Sequence, residues 1–293
     1  MEHLRRITMV KKWTKIHWLC TAAVCLIVLT VWIVHTDIKL EITEYRVGSS
    51  KVPEGFDGFR IAQVSDLHNT EFGTENSKLL ALLTGTQPDV IVLTGDLIDS
   101  RHTDTDIALV FSNQAAQIAP VYYVTENHEA RVPEYEKLKK ALEEACVTVL
   151  DNQKIQIIRD GDSITLIGID DPSFRSDYLF GDAETVAGQA ITSLQSESDG
   201  YTVLLSHRPE LFDLYTNTGM DLVFSGHAHG GQFRLPFIGG LVAPNQGFFP
   251  KYDAGQFTEK NTTMIVSRGV GNSIIPFRIN NPPEIVVVEL KRQ

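Results

Sequence analysis

Cysteine is scarce in this chain of 293 residues, which contains only three: Cys20, Cys25 and Cys146. The first two lie in a long apolar run near the N-terminus, and Cys146 is alone in the rest of the chain. A single cysteine cannot form an internal disulfide framework, so packing must stabilise this region instead. We expect Cys146 to pack as a small apolar residue at the end of a helix.

Positive charge is also scarce outside the N-terminus. The chain has 26 Lys and Arg against 37 Asp and Glu, which gives a formal net charge of −11. Residues 1–36 hold five Lys or Arg against Glu2, so they carry +4 and the remaining residues carry about −15. An acidic domain binds phosphate backbones poorly, and we therefore expect no binding to nucleic acid.

The long apolar run covers residues 16–34 and holds no formal charge. A helix of about 20 apolar residues spans the hydrocarbon core of a bilayer, so this run is long enough. We predict a basic cytoplasmic N-terminus at residues 1–15, a single-pass anchor in the cell membrane at 16–36 and one globular domain at 37–293. The basic residues before the run place the N-terminus inside and the domain outside. A cleaved signal peptide is the alternative, although no A-x-A-like site follows the run.

Five short motifs rich in Asp, His and Asn occur in the predicted domain. Each follows a run of apolar or β-branched residues that predicts a buried strand. The motifs are Asp66-Leu67-His68, Gly95-Asp96, Asn127-His128-Glu129, Ser206-His207-Arg208 and Gly226-His227-Ala228-His229-Gly230-Gly231. In an open α/β sheet, ligands bind beyond the carboxyl ends of the strands, so we expect these side chains to converge on one site.

The residue types in these motifs are those that bind metal ions. Imidazole suits Zn, Fe and Ni, while carboxylate and amide oxygens suit harder ions such as Mn and Mg. The mixed set fits Mn²⁺ best, with Fe or Zn²⁺ as alternatives, and it is large enough for two ions. Two ions about 3.5–4 Å apart clamp the attacking and leaving oxygens of an in-line displacement. Asp96 follows a glycine at a tight strand end, so it is our candidate for the carboxylate that bridges both ions.

The rest of the pattern predicts an α/β fold. Helical segments separate the early strands, and shorter, hairpin-like strands follow from residue 147. This order favours two packed sheets with helices outside.

The ordered motifs D-x-H, G-D, N-H-[DE], H and G-H-x-H resemble the calcineurin-like metallophosphoesterase superfamily. The segments SDLH, GDLID, SHRPE, GHAHGGQ and NPPEIVVVEL are similar to its membrane-associated YkuE/YaeI-type branch. The resemblance covers residues 41–290. It implies a four-layer αββα sandwich of two mixed sheets, two divalent metal ions, and hydrolysis of phosphate-ester or pyrophosphate bonds by a metal-bound hydroxide.

The resemblance also implies a role for each matching residue. The first ion would be held by Asp66, His68 and His229, and Asp96 would bridge to the second. The second ion would be held by Asn127, His207 and His227.

Substrate contacts follow from the same resemblance. His128 and Asn127 would contact the phosphoryl group, and His128 would also help the leaving group depart as a general acid. Arg208 follows a predicted ligand, so it would reach a phosphate or, equally, serve as a structural salt-bridge partner.

The identity of the substrate stays open at this stage. The branch suggests diesters or pyrophosphates of lipid-linked or nucleotide-sugar type, but an outward-facing domain favours a phospholipid, a wall polymer or an extracellular nucleotide. One alternative is a phosphomonoesterase or protein phosphatase, because the motifs do not separate monoesters from diesters. Another is a metal-binding surface receptor with weak catalysis. No obligate protein partner is inferred.

Glu126 is the one residue that departs from the family pattern, which usually reads Gly-Asn-His-[Asp/Glu]. If the backbone needs a positive φ here, a glutamate costs about 1 kcal/mol or more. If it does not, an extra carboxylate lies beside the second ion and His128. Either alternative would lower activity or shift the metal preference.

An apolar loop at residues 233–249 follows the last motif and contains Phe237, Ile238, Phe248 and Phe249. Two interpretations stay open: the loop packs locally, or it leans on the membrane or holds an acyl chain.

Overall fold

Two six-stranded mixed sheets pack face to face, and helices cover their outer faces. The architecture is seen in a computed structural model, which describes residues 2–101, 103–174, 182–196, 200–272 and 275–293. The four-layer αββα sandwich that the resemblance implied is confirmed.

The first sheet combines the start and the end of the domain with the early motif strands. Its strands lie in the order Glu41–Ser49, Glu284–Arg292, Arg60–Val64, Val90–Thr94, Val121–Val124 and Val147–Val149. Glu284–Arg292 and Arg60–Val64 pair in antiparallel fashion, and every other neighbouring pair of this sheet is parallel.

The second sheet carries the two late motif strands at its centre. Its strands lie in the order Gly255–Glu259, Thr262–Val266, Leu222–Ser225, Thr202–Leu205, Asp162–Gly168 and Gln153–Arg159. The four central strands are parallel, and each edge strand is antiparallel to its neighbour. Two short hairpins lie outside the sheets, formed by Arg234–Leu235 with Gly239–Gly240 and by Val242–Ala243 with Gly247–Phe248.

Alternation along the strands divides the apolar side chains between layers. Val90 and Val92 face the core between the sheets, whereas Ile91 and Leu93 face the helices outside the first sheet. This period of two is expected where a strand is buried on both faces.

The outer layers are helical. Ser77–Gly85, Thr105–Ala115 and Tyr135–Glu144 cover the first sheet, and Ala183–Leu194 and Phe212–Asn217 cover the second. One further short helix, Asn127–Ala130, begins directly at a motif. The sandwich therefore leaves the strand ends as the place where polar loops from both sheets meet.

The N-terminal helix Glu2–Ile38 precedes the sandwich. Its segment Lys15–Ile38 is long and apolar enough to cross a membrane, and that span is not buried against the rest of the described chain. The end of the helix contacts the domain, because the backbone N–H of Arg278 donates to Asp37 Oδ1 at 2.7 Å.

The expectation for Cys146 is wrong. This residue follows the helix Tyr135–Glu144, has a positive φ of 63° and is exposed. A helix commonly ends in the left-handed conformation just beyond its last turn, and there the chain turns away from the core.

We predict that Phe224→Ala lowers the free energy of unfolding by about 3–5 kcal/mol, because it opens a cavity between the two sheets. Phe224 is fully buried in the inter-sheet core. Urea unfolding of the detergent-solubilised chain, followed by near-ultraviolet circular dichroism, measures the change.

The matched control is Ile158→Ala, which truncates an exposed apolar side chain of the second sheet. It should change the free energy by no more than about 0.5 kcal/mol. Equal losses in the two variants would contradict the assignment of Phe224 to the core.

Candidate dinuclear metal centre

The five motifs meet beyond the carboxyl ends of parallel strands from both sheets. The backbone N–H of Asp66 donates to Gly95 O at 3.1 Å, and that of Gly226 donates to His207 O at 3.1 Å. Gln63 joins the two sheets next to these loops, since its Nε2 donates to Ser225 O at 2.9 Å. Backbone hydrogen bonds therefore hold the loops of each sheet together, and the Gln63 side chain links the two sheets.

The first group of metal-binding side chains consists of Asp66, His68, Asp96 and His229, which are all buried. One donor atom from each lies within 4.8 Å of the others. His68 Nε2 lies 3.1 Å from Asp96 Oδ2, and His229 Nε2 lies 3.3 Å from Asp66 Oδ1. These are the four residues that the sequence suggested for the first ion and its bridge.

The second group consists of Glu126, His207 and His227, also buried and within 4.8 Å of one another. It adjoins the first, because His207 Nε2 lies 3.7 Å from Asp96 Oδ2. Asn127 is buried at the start of the neighbouring short helix, and its role as a ligand stays a prediction.

The backbone is strained where it presents these groups. Five of the seven predicted ligands adopt a positive φ, between 44° and 66°: Asp66, His68, Asp96, His227 and His229. Each such residue costs about 1–2 kcal/mol relative to the right-handed region. Strain of this kind concentrates at functional sites, where the surrounding structure must enforce it.

Burial shifts the pKa of most ionisable groups in the centre. It raises the pKa of Asp66, and it raises the pKa of Asp96 and Glu126 well above their usual range. It lowers the pKa of His68, His207 and His229, which keeps these rings neutral. His227 is the exception, because burial lowers its pKa but the carboxylates of Glu126 and Glu210 together raise it by more. A neutral imidazole is the form that binds a metal, and a cation would stabilise the buried carboxylates in their charged form.

The residues present fit divalent cations. His207 Nδ1 hydrogen-bonds Thr94 O, which orients the ring and leaves Nε2 for a ligand. Within the described chain, His207 Nε2, Asp96 Oδ1 and Glu126 Oε1 are buried without a hydrogen-bond partner. Buried polar atoms of this kind need a partner, and a bound cation would supply one for all three.

His128 lies beside the first group, with its ring centroid 4.8 Å from that of His68. The backbone N–H of Ser100 donates to His128 Nδ1 at 3.1 Å, so a neutral ring carries its proton on Nε2. Burial, reinforced by His68, lowers the pKa of His128 to about 3. At neutral pH the ring is therefore a hydrogen-bond donor through Nε2.

Arg208 binds Asp171 in a bidentate ion pair, with Nε–Oδ2 at 2.6 Å and Nη2–Oδ1 at 2.9 Å. Burial raises the pKa of Asp171, but the hydrogen bonds and charge of Arg208 and the hydrogen bonds of Ser173 together lower it by more, so the net shift is downward. This geometry favours the salt-bridge alternative for Arg208. Its contact with phosphate stays a prediction.

Glu129 organises the site, although the sequence analysis assigned it no role. Its carboxylate accepts backbone N–H groups from Asp96 at 3.3 Å, Leu97 at 2.8 Å and Glu126 at 3.1 Å. Glu126 and Glu129 form a capping box around the helix Asn127–Ala130. The signal was present in the sequence, as an acid three residues after a polar helix start.

Two adjoining groups of buried imidazoles and carboxylates at the strand ends of an αββα sandwich are the arrangement of a dinuclear metallohydrolase. The profile of the calcineurin-like phosphoesterase family matches residues 59–231. The chain belongs to this family, and it is a phosphoesterase that acts on phosphate-ester substrates.

Individual related proteins support this family assignment. The uncharacterised metallophosphoesterase YkuE of Bacillus subtilis is 30% identical over 86% of either chain. The phosphodiesterase YaeI of Escherichia coli is 30% identical and covers 79% of this chain and 82% of its own. A zebrafish transmembrane protein with a metallophosphoesterase domain is 29% identical over 86% of this chain and 57% of its own. This last relative and the apolar N-terminal helix suggest a membrane protein.

We predict that Gly226→Ala weakens Mn²⁺ binding about tenfold or more, because the new methyl group displaces Asp66. A Cβ at Gly226 would lie 2.5 Å from Asp66 Oδ2 and would overlap Ser65 Oγ. Calorimetric titration of the metal-free chain with Mn²⁺ measures the affinity.

Gly85→Ala is the control, because a Cβ there meets nothing within 4 Å among the described residues. It should leave the titration unchanged. Wild-type affinity in Gly226→Ala would show that Asp66 does not contribute to metal binding.

Proposed function

We propose that this protein is a membrane-anchored, dinuclear phosphoesterase whose catalytic domain lies outside the cytoplasm and whose substrates are lipid-linked phosphate esters. The observation that supports it most is the junction of two buried donor groups at Asp96, together with an apolar cavity that adjoins His229 of the first group. The basic residues before the apolar helix support the orientation.

The ligand assignment follows from the two groups. Asp66, His68 and His229 would hold one ion, Asn127, His207 and His227 would hold the other, and Asp96 would contact both. Mn²⁺ best suits this mixture of oxygen and nitrogen donors, with Fe or Zn²⁺ as alternatives. When bound, the ions supply Lewis-acid activation of the phosphoryl group and of water.

His128 would act from the side of the first group. Its Nε2–H would donate to a phosphoryl oxygen, since Ser100 fixes the proton on that nitrogen. The negative charge of a bound phosphate raises the pKa of a neighbouring imidazole. To protonate the leaving oxygen, His128 would first have to gain a proton on Nδ1 in place of the Ser100 hydrogen bond, and this general-acid role stays a prediction.

A lipid-linked substrate is supported by the position of the N-terminal helix. Thr36 Oγ1 at the end of this helix donates to Arg278 O at 3.2 Å. Three residues further on, Asn281 Nδ2 donates to His229 O at 2.7 Å. If this helix crosses the membrane, the membrane surface would lie close to the metal centre.

The apolar loop of residues 233–249 begins beside the same segment, residues 278–281. Phe233 bridges Ile279, and the loop then exposes large side chains to solvent: Phe237, Ile238, Phe248 and Phe249. Of the two interpretations of this loop, the exposure of these four residues favours contact with a membrane. Apolar side chains grouped on a surface mark protein or membrane contacts.

An apolar cavity of about 280 Å³ lies next to His229. It is lined by Ala228, His229, Gln232, Val242, Ala243, Pro244 and Ile275. An acyl or isoprenyl chain has the shape and polarity to enter it while the phosphate lies at the metal centre.

Hydrolysis is tested with bis-p-nitrophenyl phosphate and p-nitrophenyl phosphate, using the metal-free chain supplied with Mn²⁺, Zn²⁺, Fe²⁺ or Mg²⁺. We expect metal-dependent turnover that falls at least about a hundredfold in Asp96→Asn, because both ions lose a ligand. His128→Ala should lower kcat by about a hundredfold.

Asp160→Asn, in an exposed turn far from the motifs, should keep wild-type rates. The faster of the two esters decides between diester and monoester preference. No turnover with any metal, despite two bound ions per chain, would rule out hydrolysis of generic esters and favour a binding role.

The cavity is tested with a series of alkyl p-nitrophenyl phosphates that carry one to twelve carbons. We expect kcat/KM to rise about fourfold for each methylene that enters the cavity, since burying one contributes about 0.8 kcal/mol. Val242→Trp should remove this rise by filling the cavity, while activity on the methyl ester is kept.

Ile158→Trp places the same bulk on the exposed face of the second sheet and serves as the control. A wild-type series that shows no dependence on chain length would contradict the assignment of the cavity to a lipid.

A further inference from the structure

Glu126 occupies the one position where this chain departs from the usual family motif. Its backbone is extended, with φ −144° and ψ −176°, so the position does not require glycine. The first alternative of the sequence analysis, a conformational penalty for glutamate, is therefore excluded. The side chain is fully buried, which leaves its carboxylate to be explained.

The two oxygens of Glu126 have different surroundings. Oε2 accepts the backbone N–H of His128 at 3.0 Å and caps the short helix Asn127–Ala130. Oε1 is buried without a hydrogen-bond partner in the described part of the chain. It lies 3.2 Å from His227 Nδ1 and 3.4 Å from His207 Nε2. Capping thus accounts for one oxygen and leaves the other facing two imidazoles.

A comparison with Glu129 shows that capping alone does not explain Glu126. Glu129 is equally buried, but both of its oxygens accept backbone N–H groups. Glu126 Oε1 receives no such bond, and Asp96 and Glu126 offer carboxylate oxygens within 4.8 Å of each other. Two buried carboxylates at this distance repel each other unless a cation or a proton lies between them.

The packing makes room for this arrangement. A Cβ at Gly95 would lie 2.6 Å from Glu126 Cβ and 2.7 Å from His207 Nδ1, so the glycine leaves space for both. His207 Nε2 has no partner in the described residues, and its Nδ1 is held by Thr94 O. The Nε2 lone pair of His207 and Oε1 of Glu126 therefore face the same point, from loops that follow strands of two different sheets.

We propose that Glu126 Oε1 is a direct ligand of the second metal ion, together with His207 and His227. This inference rests on the two-ion centre of the proposed function. It adds a second carboxylate, beside the shared Asp96, to a site whose other donors are imidazoles and an amide. The added negative charge should shift the preference of the second site toward hard ions such as Mn²⁺.

Metal binding without substrate tests the proposal. The full chain is purified in detergent, stripped of metal and titrated with Mn²⁺ by calorimetry and by electron paramagnetic resonance. We expect two ions in the wild type with a spin-coupled signal. In Glu126→Gln the second dissociation constant should rise about 10–100-fold and the coupled signal should fade, while the first ion binds as before.

The variants Glu126→Gln and Glu126→Gly distinguish a role of Glu126 as a metal ligand from a role in helix capping alone. Glutamine keeps an oxygen that can accept the His128 N–H, so a role in capping alone predicts unchanged Mn²⁺ affinity in Glu126→Gln. The same role predicts that Glu126→Gly lowers the melting temperature equally with and without Mn²⁺. A ligand predicts that the stabilisation by Mn²⁺ shrinks in both variants.

Glu284→Gln is the control, since it neutralises a buried carboxylate that pairs with Arg268 outside both donor groups. It should leave both Mn²⁺ constants unchanged. Unchanged second-ion affinity in Glu126→Gln would overturn the proposal even if the wild type hydrolyses esters. Weakened second-ion binding in a chain without turnover would keep it and reject only the proposed reaction.

Discussion

Burying several carboxylates beside one another is costly, and the centre of this molecule is built around that constraint. Asp66, Asp96 and Glu126 lie in a pocket that water barely reaches, and burial raises the pKa of all three. Burial lowers the pKa of His68, His207 and His229 for the same reason, whereas the carboxylates of Glu126 and Glu210 raise that of His227. Divalent cations would resolve the conflict, because the carboxylates would pair with their charge and the imidazole lone pairs would coordinate them. The architecture of the site makes sense as a holder for two positive ions.

The fold must also enforce a backbone that the chain would not adopt alone. Five predicted ligands have a positive φ, which together opposes folding by several kcal/mol, about 1–2 for each. The core between the sheets holds these loops in place, together with the backbone N–H groups of residues 96–98, which donate to the carboxylate of Glu129. The conformation of the predicted ligands thus depends on residues that pack in the core or support the loops.

The surroundings of the centre connect chemistry to location. Arg278 is fully buried, its backbone binds the end of the N-terminal helix, and its guanidinium donates to the carbonyl oxygens of Arg268 and Gly271. The same segment supports His229 through Asn281. The apolar N-terminal helix, the exposed apolar loop and the candidate metal centre therefore all contact residues 278–281. This arrangement suits a phosphoesterase that works at a membrane surface.

Local patterns in the sequence determined the strands, their motifs, the apolar helix and the chemical identity of the metal donors. These features depend on residue type and on the spacing of apolar residues, which repeats every two residues in a strand and every three to four in a helix. Both are present in the chain before it folds. Only the tertiary structure decided that Arg208 pairs with Asp171, that Cys146 is exposed and that Glu126 faces His207 and His227. Each of those outcomes depends on contacts between residues distant in sequence or on the conformation of a single turn, and neither leaves a periodic signal in the chain.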